Sequence, residues 1–274
     1  MKTFSLTAGL LLLSLAAPTA ALAGPLTVKG SDTMVVLVQR WGEEFMKRNP
    51  AAKVQVTGGG SGTGFAALIN GTTEIATASR AIKIPERDKV RARFGVLPVE
   101  TAVARDGVTF YVSEANGVTA LTVEQLKGIY TGDVTNWKDV GGKDAPIVVY
   151  SRENSSGTYV FVKDNVLKGE DFAAAAQTLP GTAAVVNAVA KEPNAIGYGG
   201  AAYAKGVKEL KLKVGQENFA PSAENVKSGK YPLARDLFFY TRGKQQADAK
   251  AFIDFCLSKE GQEIVTKVGY FPVQ

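Results

Sequence analysis

The sequence predicts an α/β protein with mostly parallel sheets, and three observations predict it. From Leu26 onward, short runs rich in β-branched residues alternate with segments of helical periodicity. Clusters of Gly, Ser and Thr follow several of the strand runs and open the next helix. The composition is that of a folded chain, because 45% of the 274 residues are hydrophobic and 21% are charged.

The first half of the chain is predicted to hold three short strands and two helices. The first helix follows Gly30-Ser31-Asp32-Thr33 and ends at Asn49-Pro50, since proline cannot continue a helix. The second helix follows a glycine-rich run over 58–64 and passes through Phe65. The three strands are predicted at 26–29, 53–57 and 74–77.

The second half alternates in the same way, without an internal repeat or a low-complexity linker. A chain of two lobes would need no such linker if strands crossed from one lobe to the other. Two long apolar stretches, near Asp106 and near Asp236, are the candidates for these crossing strands. The predicted elements are a strand or crossing segment at 99–112, a helix at 121–130, a loop at 131–137, a strand at 146–150, helices from 159, over 171–176 and over 183–190, a short buried strand or turn at 195–199, a strand at 231–240, and helices at 247–259 and 261–268.

Residues 1–23 carry the three parts of a secretory signal peptide. Lys2 gives a positive start, Phe4 to Ala17 is an apolar run, and Ala21-Leu22-Ala23 gives a small-residue cleavage pattern. The apolar run is too short for a membrane span. The alternative is an N-terminal core or anchor helix. We therefore expect a soluble, periplasmic protein without membrane insertion, whose mature form starts near Gly24.

The composition excludes several classes of chemistry. Because the chain has no His and one Cys, it cannot form a Ser-His-Asp or Cys-His catalytic pair, a His-ligated zinc site or an internal disulfide. The run over 58–64 lacks the Lys of a phosphate-binding P-loop and the spacing of a dinucleotide site, so we expect no cofactor. The sequence shows no paired Asp and Glu at the spacing of a metal cluster, so we expect no metal. A net charge of +6 favours small anions but is too scattered to indicate nucleic acid.

Three loops share one design that suits an anion. Each follows a β run and opens a helix, whose first backbone N–H groups lack internal partners and carry the positive end of the helix dipole. If the sheet is parallel, the loops collect at the carboxyl ends of the strands. Ordinary helix capping is the alternative explanation for each loop alone. The loops are Gly30-Ser31-Asp32-Thr33, Gly60-Ser61-Gly62-Thr63 and Ser155-Ser156-Gly157-Thr158.

Two arginines strengthen the prediction of an anion site. Arg80 follows the third strand, and Arg152 lies four residues before Ser156. A guanidinium presents a fixed fork of donors that matches a tetrahedral oxyanion. The alternative for either residue alone is a surface or interdomain salt bridge.

Several segments together resemble the periplasmic phosphate-binding proteins of phosphate ABC importers, the PstS family. The resemblance implies a two-lobed periplasmic-binding-protein fold of type II, each lobe a mostly parallel sheet flanked by helices, joined by crossing hinge strands. The lobes are expected at 24–105 plus 236–274 and at 106–235. The segments are GSDTM (30–34), GGGSGTG (58–64), ASR (78–80), ARDGVTFYV (104–112), IYTGDVTNW (129–137), SRENSSGTYVF (151–161) and AIGYGG (195–200).

The resemblance also implies a set of phosphate ligands. Many members have a carboxylate where this chain has Arg80, and an acid where it has Asn154. Asp32 is the remaining acid among the matched positions, so it is expected to accept the phosphate proton; a plain helix N-cap is the alternative. The implied ligands are Ser31, Asp32, Thr33, Ser61, Ser79, Arg80, Arg152, Ser156, Gly157 and Thr158.

The resemblance implies capture of inorganic phosphate, no catalysis, and delivery to the membrane permease of an ABC importer. We expect a monomer that binds no nucleic acid. Three alternatives stay open: a binder of sulfate, molybdate or another oxyanion; an exported phosphatase with a Ser or Asp32 as nucleophile; and a secreted adhesion or matrix protein.

Overall fold

The strands of this computed structural model follow the predicted order in the first half of the chain. The structure describes residues 24–243 and 247–273, so the signal peptide predicted for 1–23 lies outside the described residues. The strands are β1 (Leu26–Gly30), β2 (Val54–Thr57), β3 (Ile75–Ala78), β4 (Pro98–Val112), β5 (Ala120–Leu121), β6 (Val148–Arg152), β7 (Gln177–Leu179), β8 (Ala195–Gly200), β9 (Lys208–Val214), β10 (Glu217–Phe219) and β11 (Ala234–Arg242).

Helices connect most of these strands, and two short 3-10 helices, Trp137–Val140 and Ala201–Tyr203, complete the chain's regular structure in the described ranges. Ser, Thr and Gly residues cap or end many of the helices, as the sequence pattern predicts. The helices are α1 (Val35–Arg48), α2 (Ser61–Asn70), α3 (Ile84–Phe94), α4 (Val123–Thr131), α5 (Gly157–Asn165), α6 (Thr182–Lys191), α7 (Ala223–Lys227), α8 (Ala247–Leu257) and α9 (Lys259–Val268).

The strands form one continuous curled sheet in the order β2-β1-β3-β11-β4-β8-β6-β7, with β9 pairing β4, β5 and β10. Both ends of this order are parallel, since β1 pairs β2 and β3 in parallel and β6 pairs β7 and β8 in parallel. The two long central strands run antiparallel to their neighbours. The sheet is therefore mixed, and the α/β prediction is confirmed with more antiparallel pairing than expected.

Strand β4 links the two ends of the sheet. Its first part, Pro98 to Gly107, pairs β11, and its last part, Val108 to Val112, pairs β8. The predicted crossing stretches near Asp106 and Asp236 thus lie side by side, where Asp236 pairs Arg105 in register. One buried cluster lies among β1, α1, α8 and α9, and another packs around the last part of β4 with α4 and β8. The predicted core residue Trp41 is fully buried in the first cluster.

Two predicted elements need correction. The alanine-rich stretch over 171–176 is not a helix but an irregular segment before β7. Six residues are too few to stabilise a helix alone, and the segment is tied down through Phe172, which stacks on Tyr159 at 4.7 Å between ring centroids. The last predicted strand begins at Ala234 rather than at 231, although it continues as expected through Tyr240.

The sequence pattern also missed several elements, of which α3 is the longest. This helix buries only Val90, so it carries no apolar stripe that would reveal helical periodicity. Strands β5, β7, β9 and β10 were missed as well, all but β9 being three residues or shorter. In the described part of the chain, no helix combines the length and the apolar character that crossing a membrane requires.

Candidate functional site

The three loops predicted from the sequence meet at one place. Strands β1, β2 and β6 end there, and α2 and α5 begin there, while α1 starts two residues after Thr33, the last residue of the first loop. The hydroxyls of Thr33 and Thr158 lie 2.9 Å apart although the residues are 125 positions apart in the chain. The Gly62 N–H donates to the Ser155 carbonyl at 2.9 Å. The loops before α1, α2 and α5 therefore form one cluster, and its hydroxyl residues Ser31, Thr33, Ser61, Ser79, Ser156 and Thr158 are buried.

Two serines lie against the N-terminal end of α5. The Ser61 hydroxyl accepts the Ser79 N–H at 3.0 Å and lies 3.4 Å from the Ser79 hydroxyl. A methyl group at Gly157 would come within 2.6 Å of the Ser79 hydroxyl and nearer still to that of Ser61. Glycine at this position thus lets the first amides of α5 approach both hydroxyls.

The opening loop of α2 needs glycine for a different reason. Gly60 has a φ of 92°, a conformation that favours glycine, and a side chain there would meet the Ser155 carbonyl at 2.5 Å. Its N–H donates to the Gly30 carbonyl at 2.9 Å, which ties the loop after β2 to the end of β1. The glycine-rich run predicted as an anion loop is therefore shaped by close backbone contact.

Arg152 is one of the largest fully buried side chains of the described residues. One of its terminal nitrogens, Nη2, donates to the Asp32 carboxylate at 2.8 Å, and the other, Nη1, donates to the Thr182 hydroxyl at 2.8 Å. Nε and Nη2 also donate to both carboxylate oxygens of Glu153, at 3.1 and 2.9 Å. A buried guanidinium held on several sides keeps a fixed orientation toward the cluster.

Glu153 is a site residue that the sequence reasoning missed. The resemblance drew attention to Asn154 as the departure from an expected acid, but the residue before it supplies the carboxylate that pairs Arg152. Burial alone would raise the pKa of Glu153; the hydrogen bond and positive charge of Arg152 outweigh it and hold that pKa below its ordinary value. Glu153 thus stays ionised beside the buried arginine.

Arg235 is the second missed residue, and it lies at the centre of the cluster. Its Nη2 donates to the Thr158 hydroxyl at 3.0 Å and to the Thr33 hydroxyl at 3.4 Å. Its Nη1 donates to the Ser79 carbonyl at 3.1 Å. The guanidinium also lies over the Phe161 ring, 5.2 Å from its centroid. Arg235 lies within a predicted crossing strand and not in a glycine-rich loop, so no local motif indicates it as a ligand.

A buried carboxylate balances Arg235. The Asp106 Oδ2 accepts from Nε and Nη2 of Arg235 at 3.2 and 2.8 Å, and both side chains are nearly inaccessible to solvent. Burial raises the pKa of Asp106 above its ordinary value, and the charge of Arg235 offsets part of that rise. The pair places a fixed positive fork beside two threonine hydroxyls.

Arg80 does not join the cluster, contrary to its predicted role as an anion ligand. Its two terminal nitrogens donate to the two carboxylate oxygens of Glu86, at 2.8 and 2.6 Å. Its guanidinium lies 4.7 Å from the centroid of the Phe65 ring. The local sequence explains this, since Glu86 is the first-turn acid of α3, a helix that the sequence pattern did not reveal. Arg80 lines a cavity beside Ser79 and Arg235, but its two terminal nitrogens are engaged by Glu86.

Asp32 has a structural role that differs from helix capping. Helix α1 begins at Val35 with no side-chain cap, so the N-cap alternative is wrong. The Asp32 carboxylate instead accepts two hydrogen bonds, one from the Gly59 N–H at 2.8 Å and one from Nη2 of Arg152. It therefore joins the first loop, the second loop and Arg152 at the end of β6.

The cluster has the donors that a small tetrahedral anion requires. The early amides of α5, starting at Gly157, carry the positive end of the helix dipole. Ser156 is the N-cap of α5, and its hydroxyl accepts a hydrogen bond from the Tyr159 N–H. The Arg235 guanidinium bonds the Thr158 hydroxyl at the start of α5, and Arg152 is joined to the same loops through Asp32. Burial strengthens each hydrogen bond made there. Arg152 and Arg235 contact three carboxylates in total, so binding depends on directed donors more than on net positive charge.

Comparisons with known proteins show which family the chain belongs to. The family model of the PBP superfamily domain matches residues 15–260. The phosphate-binding protein PstS of Pseudomonas aeruginosa is 32% identical over 91% of this chain and 83% of its own length. The phosphate-binding protein PstS of Bacillus subtilis is 35% identical over 91% of this chain and 81% of its own length.

Two solved structures share the fold. A Clostridium perfringens structure with bound phosphate has a TM-score of 0.84 at 32% identity and covers 91% of this chain and 100% of its own. An ABC-type phosphate transport receptor from Vibrio cholerae has a TM-score of 0.72 at 29% identity and covers 90% of this chain and 99% of its own. The predicted periplasmic-binding-protein fold of type II is confirmed, and the chain belongs to the PBP superfamily, within the family of phosphate-binding proteins named PstS.

Proposed function

We propose that this protein binds inorganic phosphate in the buried cluster and serves as the substrate-binding protein of a phosphate ABC importer. The meeting of three loops with hydroxyls, helix amides and two fixed guanidinium groups carries the proposal. The named relatives support it, since they are phosphate-binding proteins. The proposed ligands are Ser31, Asp32, Thr33, Ser61, Ser79, Arg152, Ser156, Gly157 and Thr158, with Arg235 in place of Arg80.

The cluster is proposed to close between two lobes, at 24–105 plus 236–274 and at 106–235. On this division, the Thr33–Thr158 contact and the Asp32–Arg152 ion pair both join one lobe to the other. Strands β4 and β11 connect the lobes and provide the hinge. Phosphate would then gain hydrogen bonds from both lobes only in the closed form, and so shift the population toward closure.

The closed form is proposed to be the one that a membrane permease recognises. The protein would be exported by the segment over 1–23, act in the periplasm as a monomer, and release phosphate unchanged. A receptor that must open and close gains nothing from catalysis, and the proposed ligands act by hydrogen bonding to phosphate rather than by activating an attacking group.

Selectivity between phosphate and sulfate is proposed to depend on Asp32. Phosphate carries a proton near neutral pH whereas sulfate does not, so an acceptor in the site favours phosphate. Asp32 lies at the centre of the contacts between the loops, through Gly59 and Arg152. Replacement by Asn should lower the preference for phosphate over sulfate, and a preference unchanged across pH would remove Asp32 from this role.

An exported phosphatase is the competing function. Hydrolysis would need a nucleophile with a base or a metal ion beside it. Within residues 24–243 and 247–273, no group of three or more Asp, Glu, Cys or His side chains is arranged to hold a metal ion. A colorimetric phosphatase assay with and without divalent metals separates the two functions, and turnover of a phosphate monoester would contradict the binding role.

Thermal melting of the purified protein against a panel of oxyanions tests the proposed function. A ligand that binds only the folded form stabilises it by mass action and so raises the melting temperature. At a ligand concentration one hundred times the dissociation constant, the gain in the free energy of unfolding is about 2.7 kcal/mol. Phosphate is expected to give a clear rise, with sulfate and molybdate giving less. If sulfate or molybdate gave the largest rise, the oxyanion would be reassigned; a melting temperature insensitive to every anion would favour an adhesion or matrix protein.

A further inference from the structure

Helix α3 and the turn after it concentrate the protein's surface charge. Outside the internal Arg80–Glu86 pair, residues 80–97 hold five bases against a single acid, Asp88. This excess of four positive charges is most of the formal net charge of +6 for the whole chain. The five bases are all exposed: Lys83, Arg87, Lys89, Arg91 and Arg93.

The same segment carries most of the exposed large hydrophobic side chains found in the described ranges. Ile84 at the start of α3 is 65% exposed, and Leu97 in the turn beyond its end is 50% exposed. Val96 and Val99 are 43% and 41% exposed. In the described residues only Val36 and Val214 are other large hydrophobics in this class. Isolated exposed apolar residues are common, but four within sixteen positions of a basic helix are not.

The helix exposes these groups to solvent beside a narrow buried line. Val90 is its buried residue, and Phe94, four positions later, is half-buried on the same side. Ile84, Arg87 and Arg91 follow each other at spacings of three and four, so they form an exposed stripe that runs alongside the buried line. Beyond the helix, Arg242 at the end of β11 lies over the Phe94 ring at 5.0 Å and adds a further base to the same end.

We propose that this basic surface, residues 83–99, docks the protein on an anionic lipid membrane. Basic side chains are attracted to acidic headgroups, and apolar side chains next to them enter the boundary between headgroups and acyl chains. The apolar residues lie at both ends of a projecting helix, an arrangement that fits a headgroup layer without fixed shape. The Arg80–Glu86 ion pair lies at the inner side of this surface, where Lys83 lines a cavity together with Ser79 and Arg235 of the phosphate cluster.

Such docking would hold the protein near a membrane without inserting it. Exposed ion pairs within the surface are weak, as for Arg87 with Asp88, so most of its positive charge is free to meet headgroups. Attraction of this kind is reversible and falls as salt increases, since screening shortens the range of the headgroup potential. The protein could then move along the membrane between captures of its ligand.

Co-sedimentation with lipid vesicles tests this proposal. The purified protein is expected to sediment with vesicles of phosphatidylcholine containing phosphatidylglycerol at low salt, to be released at high salt, and to stay in solution with phosphatidylcholine alone. The double variant Arg87→Glu/Arg91→Glu should lower vesicle binding at least tenfold. The double variant Ile84→Ser/Leu97→Ser should also lower vesicle binding. At any given salt concentration, this loss should exceed the loss caused by removing two exposed side chains elsewhere on the protein.

A matched charge reversal distinguishes a local surface from net charge. Lys211 and Lys213 are exposed on β9, so Lys211→Glu/Lys213→Glu changes the net charge equally while leaving 83–99 intact. This control is expected to retain most of the vesicle binding. Equal losses in the two reversals, absence of binding to anionic vesicles, or binding only when membrane proteins are present would each overturn the proposal. Melting temperatures and phosphate titrations should match those of the unaltered protein in all variants.

Discussion

At the scale of single residues, the cluster depends on two buried arginines whose positions are fixed by carboxylates. Arg152 is held by Asp32 and Glu153, and Arg235 by Asp106. An unpaired buried charge would cost several kcal/mol, so these pairs are needed for the arginines to be buried at all. Because their side chains cannot rotate freely, little further ordering is needed when an anion binds.

The different surroundings of Arg152 and Arg80 give a direct prediction. Arg152→Lys should weaken phosphate binding at least tenfold, about 1.4 kcal/mol, because lysine keeps the charge but lacks the fork that reaches Asp32 and the cluster together. Arg80→Lys is the matched control, and its affinity should change less than about twofold, since Arg80 faces Glu86. Calorimetric titration measures both. A larger loss for Arg80→Lys than for Arg152→Lys would reverse the assignment.

A second residue-scale prediction concerns Glu209 on β9. Its Oε1 is buried without a hydrogen-bond partner, and burial, with a smaller effect of the Asp106 charge, raises the pKa of Glu209 to about 7. A carboxyl with a raised folded pKa binds protons more tightly when folded, so the free energy of unfolding falls as pH rises from about 4.5 to 7. Glu209→Gln should remove this fall and stabilise the protein at pH 8 by about 1 kcal/mol, after allowance for partial exposure.

Urea unfolding across this pH range checks the prediction for Glu209. The exposed Glu217 on the neighbouring strand β10 provides the control, and Glu217→Gln should leave the pH profile unchanged. Parallel profiles for Glu209→Gln and the unaltered protein would show that Glu209 titrates normally.

At the scale of elements, the approach of α5 to the serines depends on Gly157. Gly157→Ala should push the start of α5 away from Ser61 and Ser79 and weaken phosphate binding by at least tenfold. Gly62→Ala is the control, because its added methyl meets the Ser155 carbonyl only at 3.3 Å and small shifts can accommodate it. Titration of both variants measures the difference. Equal affinities would show that α5 does not need this close approach.

Two tyrosines that hold the first loop belong to different elements, and they should behave differently. The Tyr203 hydroxyl, from the 3-10 helix after β8, donates to the Asp32 carbonyl at 2.7 Å, and the Tyr270 hydroxyl, after α9, donates to the Thr33 carbonyl. Burial, with the charge of Asp32, raises the pKa of Tyr203 to about 12, so its hydroxyl stays a donor at neutral pH. On the proposed lobe division, only the Tyr203 bond crosses between lobes.

Tyr203→Phe should therefore speed phosphate release several-fold while leaving the association rate and the phosphate-free melting temperature nearly unchanged. Tyr270→Phe should lower the phosphate-free melting temperature, since its bond lies within one lobe in the open and closed forms alike. Stopped-flow binding and thermal melting separate the two effects. If Tyr203→Phe lowered the phosphate-free melting temperature and Tyr270→Phe did not, the hydrogen bond from Tyr203 to Asp32 would lie inside a single rigid unit.

The strand–loop–helix units could be predicted from sequence because their signals are local. Short runs rich in β-branched residues reveal β1, β2 and β3, and glycine with hydroxyl residues reveals the starts of α2 and α5. Helix α3 could not be found in this way, as only Val90 is buried on it. The failure at α3 also hid Glu86, and with it the reason why Arg80 turns away from the cluster.

At the scale of the whole molecule, the positions of Arg235 and Asp106 depend on how two distant strands pair. Arg235 and Asp106 lie opposite each other in the β11–β4 register, and nothing in the local sequence around either residue gives that register. The sequence therefore predicted the loops of the site but not the strand-borne pair that completes it. Recognition of the family supplied the overall fold, which composition and periodicity alone left as an α/β protein.

A crystal structure of the protein grown with phosphate tests the central claim most directly, because it locates the anion itself. The account predicts phosphate oxygens at about 2.6–3.2 Å from the hydroxyls of Ser61 and Thr158, the first amides of α5 and the Arg152 guanidinium. Arg80 should remain on Glu86. Phosphate bound to Arg80 or on an outer face, with the cluster unchanged, would contradict it.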